Sequence, residues 1–426
     1  MNTIRDVQQA WQLVLVESAT EHGARSGWQQ RRGQISPSQF VQTLVWGFLE
    51  QPEASVGRLA QVAQTSGATL TPQALSQRFS ARSVALLRGV LNDALGLLVE
   101  AEAVEVALFA AFPGGVYLDD TTQIGLPAIW RDRWAGAGRE AALKLATVFD
   151  LARGSVQVEL TAGRQHDSAT QVANLTYPPG AVVIEDLGYL DGPRMQTRQA
   201  QGVATVVPVR CTLALCDEQG HRFDWLAWLG EHAGQPVERA VRWQGIPLRF
   251  VALPATPATA ARKRLGIRAE AGRRQRAPHP RALALADWQV ALTTVPPQQA
   301  TLQQIGVLMR LRWQVELLFK LWKNEGKLDE TRGWKAERIE TELYAKLLGL
   351  LVAHWLVLAT GWGWVDRSLV KLGQNVRAFA RTLCLCWRHE AVVRQVLAAL
   401  TQATPTTGRI ASTARRRSAA DYALHT

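Results

Sequence analysis

Apolar positions recur at helical spacing through the first hundred residues, with few β-branched clusters and with turns marked by Pro and Gly. Residues 1 to about 105 are therefore expected to be helical. Ser36-Pro37 and Thr71-Pro72 each read as an N-cap followed by a first-turn proline. The second opens LTPQALSQRFSARSVALL (70–87), where Ala74, Leu75, Phe79, Val84 and Leu87 fall near helical spacing. Arg78 and Arg82 take its outer face. Short helices of this kind suit a DNA groove, and equally an ordinary bundle with solvated arginines.

From about 106 to 186 the pattern changes to that of strands. VYLDDTT (116–122), LKLATVFDLA (143–152) and SVQVELT (155–161) are short apolar or alternating runs, the last two joined by Arg153-Gly154 as a hairpin. HDSATQVANL (166–175) has helical character, and AVVIED (181–186) reads as a fully buried strand. Three strands, a helix and a fourth strand, with acids ending the first and fourth, predict a mixed sheet whose chemistry gathers at strand ends. GVATVVPVR, FDWLAWLG and IPLRFVALP then read as strands, and WQVALTTVP (288–296) as one more. LQQIGVLMRLRWQVELLFKLWKNEG (302–326) predicts one long helix ended by Gly326. Leu347 to Val365 carries no Asp, Glu, Lys or Arg and is long enough to span a bilayer. His354 in its middle and Gly361 and Gly363 at its end predict a buried core helix instead. A short helical tail ends in Arg415-Arg416-Arg417.

Composition narrows the class. The 426 residues are 47% hydrophobic and 20% charged, which excludes a disordered chain and predicts a substantial core. A net charge of +12 favours a polyanionic partner, nucleic acid before membrane. Eight cations between Arg262 and Arg281, among them Arg273, Arg274 and Arg276, accompany a single acid, Glu270. That run reads as a solvated face or as a phosphate-contacting one. Four cysteines without zinc spacing suit a reducing cytoplasm, and MNTIRDVQQAW lacks the apolar core of a signal peptide.

Three acids carry the candidate chemistry. Asp120 ends the first strand, Asp186 ends the fourth, and Glu316 lies in the long helix, so any shared site must be assembled by folding. Close carboxylates need a cation between them to stay ionised. Two strand acids and a helix acid suit Mg²⁺, and an ion pair about 4 Å apart can activate an attacking oxygen and stabilise a leaving one. Strand alternation decides between Asp119 and Asp120: the latter shares the parity of Ile124 and Leu126 and is the favoured acid. On the helix, Leu311, Val315, Leu318 and Trp322 form an apolar stripe beside a charged one of Arg312, Glu316, Lys320 and Lys323. The charged stripe reads as salt bridges, or as a metal ligand flanked by phosphate-binding cations.

These residues resemble the bacterial insertion-sequence DDE transposases of the IS-four type. Leu118-Asp119-Asp120-Thr121-Thr122, with Ile124, Leu126 and Pro127, is similar to the family's first-aspartate segment. Ile184-Glu185-Asp186-Leu187-Gly188-Tyr189 resembles its Asp-x-Gly-Tyr. Arg312-Trp313-Gln314-Val315-Glu316, with Phe319 and Lys323, resembles its Tyr-x2-Arg-x3-Glu-x6-Lys signature. Lys144-Leu145, Thr161-x-Gly163-x3-Asp167 and Ala74 to Phe79 add further matches, so the resemblance covers roughly 35 to 365. Met309 departs from it, standing at the signature's tyrosine and offering no hydroxyl.

The resemblance implies an α/β fold: a ribonuclease-H-like mixed sheet flanked by helices and interrupted by a β-rich insertion. It implies a helical DNA-binding domain over 1–105, a catalytic core over 106–202 and 286–365, the insertion over 203–285, and a helical C-terminal region over 366–426. Asp120, Asp186 and Glu316 would hold two Mg²⁺ ions, with Mn²⁺ as a substitute. Arg312 and Lys323 would contact the end phosphate, with Lys320, Arg78 and the basic run also on DNA. Trp288 would stack on a base flipped from the duplex end, a role it shares with the alternative of core packing. The implied activity is cleavage at terminal inverted repeats and joining of the freed 3′-hydroxyl to target DNA. It would be carried out by a homodimer in a synaptic complex, in a bacterial cytoplasm at the nucleoid, with no membrane. A catalytically inactive DNA-binding derivative and a structure-specific nuclease of the same core are the alternatives.

Overall fold

The computed structural model describes residues 3–29, 33–333 and 335–410, so Arg415–Arg417 lies outside the described residues. The chain divides into two compact units that interleave along the sequence. One comprises Met1–Val104, Thr121–Gln165 and Gln314–Arg416; the other comprises Glu105–Asp120, His166–Trp313 and Arg417–Thr426. This division cuts across the five-part plan read from the sequence.

In the first unit the sheet order is β3-β2-β1, from β1 (Val116–Leu126), β2 (Ala141–Asp150) and β3 (Val156–Ala162). β1 enters this unit from Thr121 onward. β2 and β3 pair antiparallel from Leu143↔Ala162 to Phe149↔Val156, the expected hairpin. Its turn glycine, Gly154, has φ +76°, and a Cβ there would stand 2.4 Å from Leu358 and 2.6 Å from Trp362. No side chain fits that approach.

The N-terminal segment is helical as its pattern requires. Ser36 caps Pro37–Glu50 with a reciprocal Ser36–Gln39 box, and the Thr71 hydroxyl accepts from Ala74 N–H at 3.1 Å to start Pro72–Ser76. The 70–87 stretch is two helices, not one: Ser80 is extended, and Ala81–Leu95 begins after it with the Ser83 hydroxyl accepting from Ser80 N–H at 2.9 Å. Ala336–Gly361 is long and apolar enough to cross a membrane, yet it is buried against Pro37–Glu50, Ala81–Leu95 and Leu369–Cys386. A helix apolar all round is buried in protein or in lipid, and here the protein covers it. His354 in its middle is buried, with Nε2 2.7 Å from the Gly154 carbonyl. The C-terminal region is more extensive than a short tail, with helices Leu369–Cys386 and Glu390–Ala403.

In the second unit the order is β1-β4-β5-β10-β9-β8-β6-β7. The new strands are β4 (Val182–Glu185), β5 (Ala204–Pro208), β6 (Leu215–Cys216), β7 (Arg222–Phe223), β8 (Val237–Trp243), β9 (Ile246–Pro254) and β10 (Trp288–Thr293). β1, β4 and β5 run parallel; the pairs beyond β5 are antiparallel. The mixed sheet is therefore as expected, and the insertion does not fold apart. Its strands continue the same sheet through β10. Trp225, Leu229, Trp243, Leu248, Phe250, Trp288, Val290 and Leu292 form one core there.

Two local expectations are corrected. FDWLAWLG holds a helix, Trp225–Glu231: the Asp224 carboxylate accepts from Leu226 and Ala227 N–H at 3.1 and 3.2 Å, and Trp225 and Leu229, four apart, share the buried face. HDSATQVANL forms two 3₁₀ turns, Asp167–Ala169 and Val172–Asn174. The Thr170 hydroxyl and Asn174 amide take the Asp167 and Thr170 carbonyls that a helix would need. The expected 302–326 helix is present as Leu302–Leu311 and Trp313–Lys320, with Arg312 between them in helical conformation (φ −51°, ψ −30°), and it runs on into a π turn, Leu321–Glu325. The basic run is a mostly exposed helix, Pro257–Arg273, and a short one, Pro280–Leu285. Acids from outside the run also meet it, Asp287 at Arg264 and Asp224 at Arg281.

Candidate carboxylate site

β1 and β4 are parallel neighbours in register, with Asp119 opposite Glu185. Each strand carries an acid doublet: Asp119-Asp120 lies inside β1, which runs on to Leu126 instead of ending at Asp120 as expected, and Glu185-Asp186 stands at the end of β4. Alternation turns the two members of a doublet to opposite faces. The partners follow that rule. Asp119 and Glu185 are 1% and 0% exposed and share the guanidinium of Arg198, from helix Gly192–Ala200. Arg198 Nη1 donates to Glu185 Oε1 at 2.6 Å, and Nη2 to Asp119 Oδ2 at 3.0 Å. The Tyr177 hydroxyl donates to Asp119 Oδ1 at 2.8 Å, and Arg194 Nη2 lies 3.1 Å from Glu185 Oε1. Burial pushes the Asp119 carboxyl above the usual range and that of Glu185 up to about 7, against the pull of the arginines.

The other members of the doublets meet a different cation. Arg312 Nη1 lies 3.0 Å from Asp120 Oδ2 and 3.5 Å from Asp186 Oδ1. Two carboxylates carried on different strands thus converge on one positive nitrogen. A donor set of this kind, all oxygen and doubly negative, fits a hard divalent cation. Asp186 stands just past the end of β4, immediately before the 3₁₀ turn Leu187–Tyr189. That turn is packed tightly: a Cβ on Gly188 would lie 2.6 Å from Asp167 Oδ2, and Tyr189 is buried. Among the described residues, no group of three or more His, Cys, Asp and Glu gathers as a metal cluster.

A model of the family described as Transposase DDE domain matches residues 118–352, more than half of the chain and all three sequence-predicted acids. The chain belongs to that family. It is similar to the transposase for insertion sequence element IS231F of Bacillus thuringiensis subsp. israelensis, 24% identical over 81% of this chain and 78% of the relative. It is also similar to the transposase for IS1151 of Clostridium perfringens, 22% identical over 78% and 76%. A shorter match, 29% identical over 30% of this chain and 38% of the relative, is to the putative transposase InsL for IS186A of Escherichia coli K12. The protein is an insertion-sequence DDE transposase, and as such an enzyme acting on DNA.

The remaining sequence-predicted residues of this transposase are distributed as follows. Glu316 belongs to the first unit, half-buried on Trp313–Lys320, with Val315, Leu318, Phe319 and Trp322 buried beside it as the stripe required. Lys320 is exposed. Lys323 is half-buried, and burial lowers its amine below the ordinary lysine value. Arg78 is not turned outward as expected: it is half-buried, its guanidinium 5.5 Å above the Trp28 ring. Arg82 is exposed. Arg273 and Arg274 both pair with Glu270, at 2.5 and 2.6 Å, while Arg276 is exposed at the rim of a cavity of about 1050 Å³.

Trp288 opens β10 at 6% exposure, its carbonyl accepting from Lys263 Nζ at 2.7 Å. An open stacking face is therefore absent: alternation sends Trp288, Val290 and Leu292 together into the insertion core. Trp288 and Met309 both line the cavity, so the signature's departure falls on an apolar wall. The residues that sequence reasoning missed are Arg198, Tyr177, Arg194 and the buried acids Asp119 and Glu185. The signal was present in the two acid doublets and in Arg194 and Arg198, four apart on one helix.

Proposed function

We propose that this transposase cleaves DNA at the terminal inverted repeats of its own insertion sequence and joins the freed 3′-hydroxyl to target DNA. Asp120, Asp186 and Glu316 are its metal ligands. The observation that carries this reading is the convergence of Asp120, within β1, and Asp186, just past the parallel β4, on one cation position. The family match supports Glu316 as the third ligand, since its segment lies inside the matched residues. Two Mg²⁺ ions, or Mn²⁺ in their place, supply an activated attacking oxygen and charge stabilisation at the leaving one. Arg312 and Lys323 steady the end phosphate, with Lys320 beside them. No protein nucleophile is needed.

The core in this reading is ribonuclease-H-like, the helical N-terminal segment binds the repeats, and the exposed arginines of Pro257–Arg273 add salt-sensitive affinity. Arg276 joins them from the cavity rim; Arg273 and Arg274 add less, because Glu270 already pairs with them. A homodimer holds two ends together in the cytoplasm. Trp288 serves base stacking only where its cavity admits a base.

Strand cleavage on DNA bearing the terminal repeats, with Mg²⁺, tests the proposal. Asp120→Ala, Asp186→Ala and Glu316→Gln should each lose cleavage by about 10³-fold or more while still binding the ends, since the ions supply most of the transition-state stabilisation. Wild-type cutting by any of the three sinks its assignment. Met309 on the cavity wall favours one second reading, a derivative that binds ends without cutting. End binding with no cleavage in either Mg²⁺ or Mn²⁺ would select it.

A further inference from the structure

The Arg198 cluster is costly to build. Two carboxylates, Asp119 and Glu185, face each other across parallel strands with almost no exposure, and Arg198, 3% exposed, is buried with them. Replacing a buried ionic cluster with apolar side chains of similar volume is often neutral or stabilising, so stability alone does not account for this one. Its geometry does. The guanidinium spans the strand pair, one nitrogen on each acid. Nη2 also donates to the Ala173 carbonyl at 3.2 Å, and the plane lies 5.1 Å from the Tyr177 ring. The fork is thus fixed on every side. The next residue along the chain from each clamped acid is Asp120 or Asp186, turned to the opposite face and converging on Arg312.

We propose that Arg198 is a positioning residue for ion binding. By bridging Asp119 and Glu185 it fixes the separation and register of β1 and β4 where the two acids face each other, and with them the distance between Asp120 and Asp186. It also neutralises two acids that would otherwise repel each other and spread the strands. Lysine cannot replace it, because a single ammonium has no planar fork to reach both carboxylates. The inference rests on the reading of Asp120 and Asp186 as metal ligands.

The test is Mn²⁺ binding to the full-length protein without DNA, followed by the loss of the free-ion electron paramagnetic resonance signal. Thermal unfolding and end-DNA binding are measured in parallel. Arg198→Lys should fold and bind ends as wild type does, yet bind Mn²⁺ at least tenfold more weakly. Its cleavage should need correspondingly more Mn²⁺. Val393→Ala, a core truncation in Glu390–Ala403, controls for general destabilisation and should keep the wild-type Mn²⁺ dependence. Unchanged Mn²⁺ affinity in Arg198→Lys, or an equal loss in Val393→Ala, overturns the proposal.

Asp120→Asn and Asp186→Asn separate the two readings. If they abolish Mn²⁺ binding while Arg198→Lys does not weaken it, the positioning role alone fails. If they bind Mn²⁺ as wild type does, the site itself is misassigned and the positioning role falls with it. Should Arg198→Lys not fold, Tyr177→Phe removes only the hydroxyl held on Asp119 and should weaken Mn²⁺ binding about threefold; no change there overturns the proposal as well.

Discussion

Replacing Arg312 by glutamine leaves Asp120 and Asp186 converging on a position with no charge in it. The wild-type guanidinium sits 3.0 Å from Asp120, whose side chain is 11% exposed, and 3.5 Å from Asp186, at 40%. The first pair lies between the surface and buried limits, and its loss should cost about 2 kcal/mol in metal-free buffer. The second is well solvated and adds less than about 0.5 kcal/mol. A divalent ion entering between the carboxylates has to displace the same guanidinium, so about 2 kcal/mol opposes its binding in the wild type. At about 1.4 kcal/mol per tenfold, Arg312→Gln should take up Mn²⁺ roughly 30-fold more tightly. The assay is a Mn²⁺ titration at low ionic strength without DNA, with unfolding measured in metal-free and Mn²⁺-loaded buffer. The variant should be less stable than wild type without metal and recover with it, and the affinity gap should shrink at high salt. A variant that binds Mn²⁺ no more tightly than wild type would refute the view that Arg312 holds the cation position.

Burial holds the His354 imidazole at about 4, below its ordinary 6.5. The unfolded chain therefore takes the proton first, so stability is full above pH 6.5 and falls towards pH 4, by about 3 kcal/mol across that window. Urea unfolding of His354→Leu should show a correspondingly flatter pH dependence than wild type. Gly188→Ala places a methyl against the Asp167 carboxylate; it should cost about 1–2 kcal/mol of stability and reduce cleavage more than end binding. Arg262 and Arg268 stand exposed on the basic helix, and replacing both with glutamine should lower the logarithmic salt slope of DNA binding by up to about 2. The double glutamine variant of Arg273 and Arg274, already paired with Glu270, should lower it less.

Much of the sheet was legible because strand patterns are local. β1, β2, β3, β4, β5, β9 and β10 follow from alternation or buried apolar runs, and the hairpin from Arg153-Gly154. What misled were segments where one polar side chain outweighs propensity. Two tryptophans made FDWLAWLG look like a strand until Asp224 capped it as a helix. Thr170 and Asn174 dismantled the helix expected over 166–175 by taking its carbonyls. At the site, parity separated Asp120 from Asp119 because alternation is a property of the strand itself. Arg198 was invisible for the opposite reason: its partners lie 13 and 79 residues away, and no pattern links positions that only folding brings together. That Arg312 pairs with Asp120 and Asp186 was invisible too, since nothing local says that a helix arginine will turn towards carboxylates 192 and 126 residues away.

The paired doublets explain how such a site tolerates its own charge. Four acids set side by side, two within β1 and two at the end of β4, would repel strongly if they shared a face. They divide into two pairs with different cations: Asp119 and Glu185 meet the enclosed Arg198, with Arg194 also at Glu185, while Asp120 and Asp186 meet Arg312, partly open to water. The difference in enclosure is what separates scaffold from site. A guanidinium packed against Tyr177 and bonded to Ala173 has nowhere to go, so the geometry it sets is permanent. On the reading of Asp120 and Asp186 as metal ligands, the partly exposed guanidinium paired with both carboxylates is the one that an incoming cation would exchange with. If Arg198 positions the ligands as proposed, the site would be pre-formed before any ion arrives, and the cost of binding would fall to that of the exchange itself.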